Sequence, residues 1–546
     1  MRFEAGAVLP YLFCAMLAAA PFNAACADSI NEAFRAAQWA SLSSAGKALH
    51  QLGLREATGD PELAAIVRSR QDLLSAVAIR EAELSTVRDA NTAVRLRGEI
   101  DSLNGEIAAI DTKLAAEFPR YAELANPAPV DIATVQAQLH ENEALLFFLS
   151  TDSATFVWAL DRDDSLWFES SLSRDWLGDI VADLRADLDP HARTRGAVTL
   201  VEGMDRPRIA PFDRTNAWFL YTQLIEPVEA ILGGKLHVFA VTDGPLSGLP
   251  LSVLVSQRPR GADTDPAAMR ETAWLVRRFA TTTLPTVASL STIRADRGEA
   301  AVRRNPFAGI GAPVLGAEIA AEEAVPPPGS DFFRGMLSDV SAVRSLPSLP
   351  QTGPELRRLA MALGAGEESL HLAEAATEAN VKALDLSSTS VVAFATHGLL
   401  SGELSGLAEP ALVLTPPDAA SPDDDGLLTA SEIAELRLSS DWVILSACNT
   451  AGTDGRPDAE GLSGLARAFL YAGARSILVS HWPVRDDAAA RLTTGTLSRI
   501  AEDASIGRSQ ALRQTMLSLM EDESDQSLAH PSAWAPFMVV GEGGHS

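Results

Sequence analysis

Two apolar runs in the C-terminal half of the chain break off into residues that do chemistry. Val391-Val392-Ala393-Phe394-Ala395-Thr396 leads into His397-Gly398, and Trp442-Val443-Ile444-Leu445-Ser446-Ala447 leads into Cys448-Asn449-Thr450. Short apolar runs of this kind read as buried strands, and in parallel α/β sheets reactive side chains gather in the crevice beyond the strand ends. His397 and Cys448 stand 51 residues apart, enough for one strand, a connection and a helix. If the two strands are neighbours, an imidazole faces a thiol across the crevice. That arrangement suits a thiolate nucleophile: the His takes the proton, and the Gly N–H can approach an oxyanion. A Cys ending a buried strand also serves as a small core hydrophobe, and a lone His as a structural hydrogen-bonder. Spacing alone leaves both readings open.

Other reactive residues are weaker candidates. His481 follows the apolar run Ser476–Val479 and is read as structural, with a catalytic partnership as the lesser alternative. Glu460 precedes an expected helix over Leu462–Tyr471, where a carboxylate caps the N-terminus or complements the dipole. A substrate contact is its lesser reading. Asp423-Asp424-Asp425-Gly426 lacks the alternating oxygen ligands of a calcium loop, and Thr429 with Glu432 forms a capping box for the next helix. No metal and no cofactor is expected.

The elements that must position these residues read as strands alternating with helices. Ala144–Leu149 and Thr155–Leu160 form a hairpin pair, Trp218–Leu232 a helix ending at Gly233-Gly234, and Leu236–Val241 a buried strand before the Asp243-Gly244 turn. The stretch from Ala295 to about Pro350 is rich in Ala, Pro and Gly, and its Pro326-Pro327-Pro328-Gly329 run reads as an exposed linker. Pro354–Leu363 follows as a helix, then Val391–Ala395, Ala411–Leu414, Trp442–Leu445, Ser476–Val479 and Phe537–Val540 as strands with helices between. This alternation predicts a largely parallel sheet covered on both faces.

Upstream the pattern is helical. Leu63, Ile66, Val67, Leu73, Leu74, Val77, Leu84 and Val87 recur at three- and four-residue steps, as do Leu96, Ile100, Leu103, Ile107, Ile110, Leu114 and Phe118. Two such seams, joined near Asp89–Asn91, predict an antiparallel helical hairpin or coiled coil. Packing on the body of the protein is the favoured role, and partner binding the alternative. At the N-terminus, Ala5–Ala20 is almost wholly apolar and precedes Ala25-Cys26-Ala27. Met1–Ala27 is read as a cleaved secretory signal, leaving a mature chain from Asp28 with Cys448 as its one cysteine and no internal disulfide. The expected location is periplasmic or secreted, with no stable membrane span after cleavage.

Composition narrows the classes further. The chain has 546 residues, 47% of them hydrophobic, which is incompatible with a disordered polymer. Its 44 Lys and Arg against 72 Asp and Glu give a net charge of −28, which repels nucleic-acid phosphates. Three cysteines are too few for a disulfide scaffold or a Cys-rich zinc module.

The wider sequence resembles a known family. The blocks are Phe394-Ala395-Thr396-His397-Gly398, Asp425-Gly426-Leu427-Leu428-Thr429-Ala430-Ser431-Glu432-Ile433, Leu445-Ser446-Ala447-Cys448-Asn449-Thr450, Glu460 through Phe469, Ser480-His481-Trp482-Pro483-Val484 and His530-Pro531 through Phe537. In this order they resemble the CHAT domain, a caspase-like module often found beside TPR repeats. The likeness extends upstream through Asp243-Gly244-Pro245-Leu246 and Leu249-Pro250, and covers roughly residues 130–546. It implies an α/β fold, a caspase-like parallel-sheet sandwich with helices on both faces, preceded here by the α-helical hairpin. The expected divisions are a signal at 1–27, a helical region at 28–128, a degenerate caspase-like half at 129–300, a linker at 301–350 and a catalytic half at 351–546.

By that resemblance His397 is the general base and Cys448 the nucleophile of a clan of cysteine endopeptidases that includes caspases and separase. The N–H groups of Gly398 and Cys448 would line the oxyanion hole. Basic-specific relatives such as metacaspases place an acid two residues before the nucleophile, where this chain has Ser446. A small neutral residue there favours a small or apolar P1 side chain. A basic P1 would have to be met elsewhere, with Asp454 and Asp458 as loop candidates. The leading expectation is an exported endopeptidase acting on a protein or peptide through the His-Cys dyad. The alternatives are a catalytically silent binding or scaffold protein, with a partner on the N-terminal helices, and a cysteine acyl transferase using the same thiol. The TPR array common in the family is missing, or reduced to helices over Asn31–Leu54.

Overall fold

The computed structural model describes residues 30–41, 90–117, 129–189, 210–295, 305–316, 333–334, 337–338, 340–399, 410–421, 424–446, 464–482, 484–503 and 505–544, with single helical positions at 66, 69, 73 and 80. The signal-like segment 1–27, the linker-like run 326–329 and nearly all of the first helical seam lie outside them. Among the described residues no helix is long and apolar enough to cross a membrane.

Strands dominate the centre. β1 (Glu143–Ser150), β2 (Thr155–Leu160) and β3 (Ser165–Ser170) make an antiparallel meander, and β4 (His237–Val241) and β5 (Ala280–Thr283) run parallel to β1. β6 (Asn305–Gly311) follows, and β7 (Phe333–Arg334) pairs with β8 (Leu337–Ser338) apart from the main sheet. β9 (Leu370–Leu372) and β10 (Thr389–Ala395) lie parallel on either side of β6. β11 (Gly398–Leu399), β12 (Ala411–Val413) and β13 (Leu427–Thr429) form a small antiparallel sheet. β14 (Trp442–Ser446), β15 (Ser476–Ser480) and β16 (Phe537–Gly541) complete the large one. Its eleven strands run in the order β3-β2-β1-β4-β5-β16-β15-β14-β10-β6-β9. The strands from β15 to β9 are mutually parallel; β16 lies antiparallel to β15 and parallel to β5, joining two parallel blocks of opposite direction.

Both faces of the sheet are buried, as the unbroken apolar strand runs require. Alternate residues of β10 serve opposite cores: Val391, Ala393 and Ala395 face one, Val392 and Phe394 the other. Ile444 and Leu478 join the first, and Val443, Leu445, Ile477 and Val479 the second. The helix Thr352–Ala362 buries Leu356, Leu359 and Ala360 at helical spacing against the first core. It stops at Gly364, whose φ of 68° suits a glycine cap, and the Ala365 N–H closes back on the Ala360 carbonyl at 2.9 Å. On the second face lie the helices Ala430–Glu435, which starts with the expected Thr429/Glu432 capping box, and Gly464–Tyr471. Helix 30–41 seats Phe34 on the far end of the sheet, edge-on to Phe147 at 5.9 Å and beside Trp158 at 6.2 Å.

The α/β sheet with helices on both faces agrees with the sequence expectation, and the second helical seam appears as the helix Ala90–Glu117. Two details differ. The helix expected over Trp218–Leu232 is interrupted at Pro227: Arg214–Leu224 ends, a 3-10 turn spans Glu226–Val228, and Glu229–Leu232 resumes. The stretch expected as a linker, 301–350, holds β6, a strand of the large sheet between β10 and β9. Pro306, Gly309 and Gly311 give that segment the composition of a loop, yet β6 comes so close to its neighbours that a side chain at Gly311 would overlap the Ala395 carbonyl.

Candidate active site

β10, β14 and β15 end at one edge of the sheet, and the residues just past them line an open cleft. Its walls include Thr396 and His397 after β10, Ser446 at the end of β14, Ser480 at the end of β15 and Phe537 at the start of antiparallel β16. Glu355, on the helix Thr352–Ala362, also lines it. The strand register sets Ala395 opposite Ser446. His397 lies two residues past the first of these. Ser446 stands two residues before Cys448 in the chain. Cys448, Asp454, Asp458 and Glu460 themselves lie outside the described residues.

His397 is held at three points. The Thr396 hydroxyl donates to the Val413 carbonyl, and the Val413 N–H donates to the His397 carbonyl at 2.9 Å. That second bond makes Gly398↔Leu412 a non-hydrogen-bonded pair, so the Gly398 N–H turns away from β12. The imidazole Nε2 lies 2.8 Å from the Pro347 carbonyl. A carbonyl only accepts, so Nε2 carries the hydrogen, and in the neutral ring Nδ1 keeps the lone pair. Burial lowers the His397 pKa below its usual value, a shift the Pro347 carbonyl opposes. The ring is therefore mainly neutral at pH 7, an orientated base with one basic nitrogen.

Ser446 donates its hydroxyl to Glu355 Oε2 at 3.0 Å. Glu355 is only 7% exposed, and it shares the inner face of its helix with Leu356 and Leu359. Sequence reasoning passed over both Pro347 and Glu355. Pro347 acts through its backbone and leaves no mark in the side-chain pattern. Glu355 does leave one: a carboxylate on the apolar stripe of an amphipathic helix.

The structure places His481 away from the cleft lining. Its ring is fully buried, and neither ring nitrogen has a hydrogen-bond partner among the described residues. Burial, with the nearby Arg185 charge, pushes its pKa down to about 3. Its backbone is the part in use: the N–H donates to Pro536 at 2.8 Å, and the carbonyl accepts from Arg185 at 2.7 Å. Asp425 is engaged structurally, its carboxylate accepting the Ser338 N–H at 2.8 Å while its own N–H donates to Glu378 at 2.8 Å.

The fold and the cleft define an α/β protein with a histidine presented at the carboxyl edge of a parallel block. The sequence model of the CHAT domain matches residues 216–542, and the chain belongs to the CHAT domain family. Among curated proteins it is similar to tetratricopeptide repeat protein 28 of Mus musculus, 37% identical over 119 residues, and of Homo sapiens, 34% over 115. These segments make up 21% of this chain and 4% of each relative. Among solved structures it is similar to the Saccharomyces cerevisiae separase–securin complex, with a TM-score of 0.43 and 9% identity, over 90% of this chain and 36% of the other.

Proposed function

We propose that the protein is an exported cysteine endopeptidase in which His397 and Cys448 form the catalytic dyad. The observation that supports this most is His397 itself: a neutral ring, fixed by Pro347 through Nε2, at the end of a strand paired in register with the strand that leads to Cys448. In this reading Nδ1 takes the thiol proton, the thiolate attacks a peptide carbonyl, and the Gly398 and Cys448 N–H groups hold the oxyanion. The protonated ring gives its proton to the leaving amine, and water, deprotonated by the same nitrogen, releases the acyl-enzyme. Export is supported by the apolar run Ala5–Ala20 ahead of Ala25-Cys26-Ala27.

The test is cleavage of a proteome-derived peptide library by the full chain, with Cys448→Ala and His397→Ala beside it. New peptide termini are expected in the wild type and in neither variant. Cuts that persist without Cys448, or a wild type that makes none, would overturn the assignment.

A further inference from the structure

The carbonyl that fixes the His397 ring belongs to a strap of chain with few anchors of its own. After the helix Val340–Arg344 the residues Ser345, Leu346, Pro347, Ser348 and Leu349 lead towards the helix Thr352–Ala362. Ser345, Pro347 and Ser348 are exposed and Leu349 is half-buried; of the five, Leu346 alone is buried. Proline at 347 fixes its own φ and keeps Leu346 extended, so the direction of the Pro347 carbonyl follows from where Leu346 is seated. Beyond it, the Leu349 carbonyl accepts the Thr352 N–H at 3.2 Å and hydroxyl at 2.7 Å, which closes the strap.

Leu346 is seated in a small apolar core that it shares with Val343, Leu399, Val413 and Leu427. Leu399 lies two residues after His397. Val413 bonds the His397 carbonyl through its N–H and accepts the Thr396 hydroxyl through its own carbonyl. The backbone of the histidine and the carbonyl on its ring are therefore tied to one core. Arg344 also holds the strap, giving Nη2 to the Pro416 carbonyl at 3.1 Å and the Pro417 carbonyl at 2.9 Å. Its side chain is 43% exposed, so water competes for those bonds and the buried leucine carries more of the holding.

We propose that Leu346 is a positioning residue for His397: seated in the small core, it keeps the Pro347 carbonyl on Nε2 and so leaves Nδ1 as the nitrogen that accepts a proton. The effect on turnover rests on the endopeptidase reading; the effect on the ring does not. With Leu346 truncated, Nε2–H loses its fixed acceptor, while Val413 still holds the backbone in place. The ring then turns away from its working direction for part of the time. Such a change lowers kcat and leaves KM nearly as it was.

The test uses the full-length protein labelled with 15N-histidine, with the His397 signals assigned by their loss in His397→Ala. The wild type is expected to show an Nε2–H proton that exchanges slowly with water. In Leu346→Ala that proton should exchange about 10-fold faster. Turnover of a cleaved peptide should fall about 10- to 100-fold in kcat. Leu346→Met, which conserves the volume, should restore both. Leu232→Ala, the same truncation in the first core, should leave the exchange unchanged. A wild-type exchange rate in Leu346→Ala overturns the proposal. Equal acceleration in Leu232→Ala overturns it too, because a general loss of stability would then explain the effect. If Leu346→Ala does not fold, the milder Leu346→Val decides, with about 3-fold faster exchange expected and an unchanged rate refuting the role. A wild type that cuts no peptide would refute the endopeptidase, and the exchange rates would still decide whether Leu346 positions the ring.

Discussion

At the scale of single residues, the protein contains histidines put to opposite uses. His397 lines the cleft with one nitrogen committed to a carbonyl, whereas both ring nitrogens of the enclosed His481 find no hydrogen-bond partner among the described residues. The enclosed ring makes stability depend on pH. Its folded pKa is depressed to about 3, so between pH 6.5 and 3 the unfolded chain binds a proton that the folded one refuses. The stability present above pH 6.5 is lost as pH falls, at up to about 1.4 kcal/mol per pH unit. His530, pushed down to about 4 by burial, adds a parallel loss over a narrower span. Glu143, held near 2 by His237 and Arg294 against its own burial, contributes only below its unfolded value of 4.5. His481→Leu should therefore retain about 2 kcal/mol more of its pH 7 stability at pH 4.5 than the wild type does. Urea unfolding of both proteins at the two pH values measures this, and equal acid losses would refute it.

At the scale of elements, the strand that carries His397 depends on a neighbour made of glycine and proline. A side chain at Gly311 would meet the Ala395 carbonyl and the Leu356 methyl group, so Gly311→Ala must force β6 and β10 apart. The expected cost is about 1–3 kcal/mol, seen as a lower urea midpoint. Peptide cleavage should fall with it, because Ala395 lies two residues before His397. The same strand shows what a single sequence can and cannot disclose. Val391–Ala395 and Trp442–Leu445 are legible as strands because their whole length is apolar. β6 is hidden because tight packing needs residues that otherwise mark loops, and β3 because its apolar stretch, Leu166-Trp167-Phe168, is only three residues long. The place of His397 at the cleft, just past a strand, was legible from the sequence. Pro347 was not, because its contribution is a carbonyl, and Glu355 acquires meaning only when its helix is laid against Ser446.

At the scale of the whole molecule, two parallel blocks of opposite direction share one sheet, and among the described strands β16 alone bonds to both. Side-chain bonds reinforce the seam: Arg513 reaches the Val276 carbonyl at 2.6 Å, and Arg185 crosses to His481. Removing residues 537–546 would open β5 and β15 to solvent and strip Val539 and Val540 from the cores. The truncated chain is expected to lose its cooperative thermal transition and to aggregate, as scanning calorimetry and size-exclusion chromatography would show. A sharp transition in that chain would mean that each block stands without the seam. The position of β16 also orders events in time. It follows both blocks in the chain, so the ribosome delivers it after every strand it must join. Until it arrives, the cleft lacks the Phe537 wall and two strand edges stay unpaired. A nascent chain is thus denied a finished cleft until β16 has been translated, and the cell meets the assembled cleft only once the polypeptide has closed its own sheet.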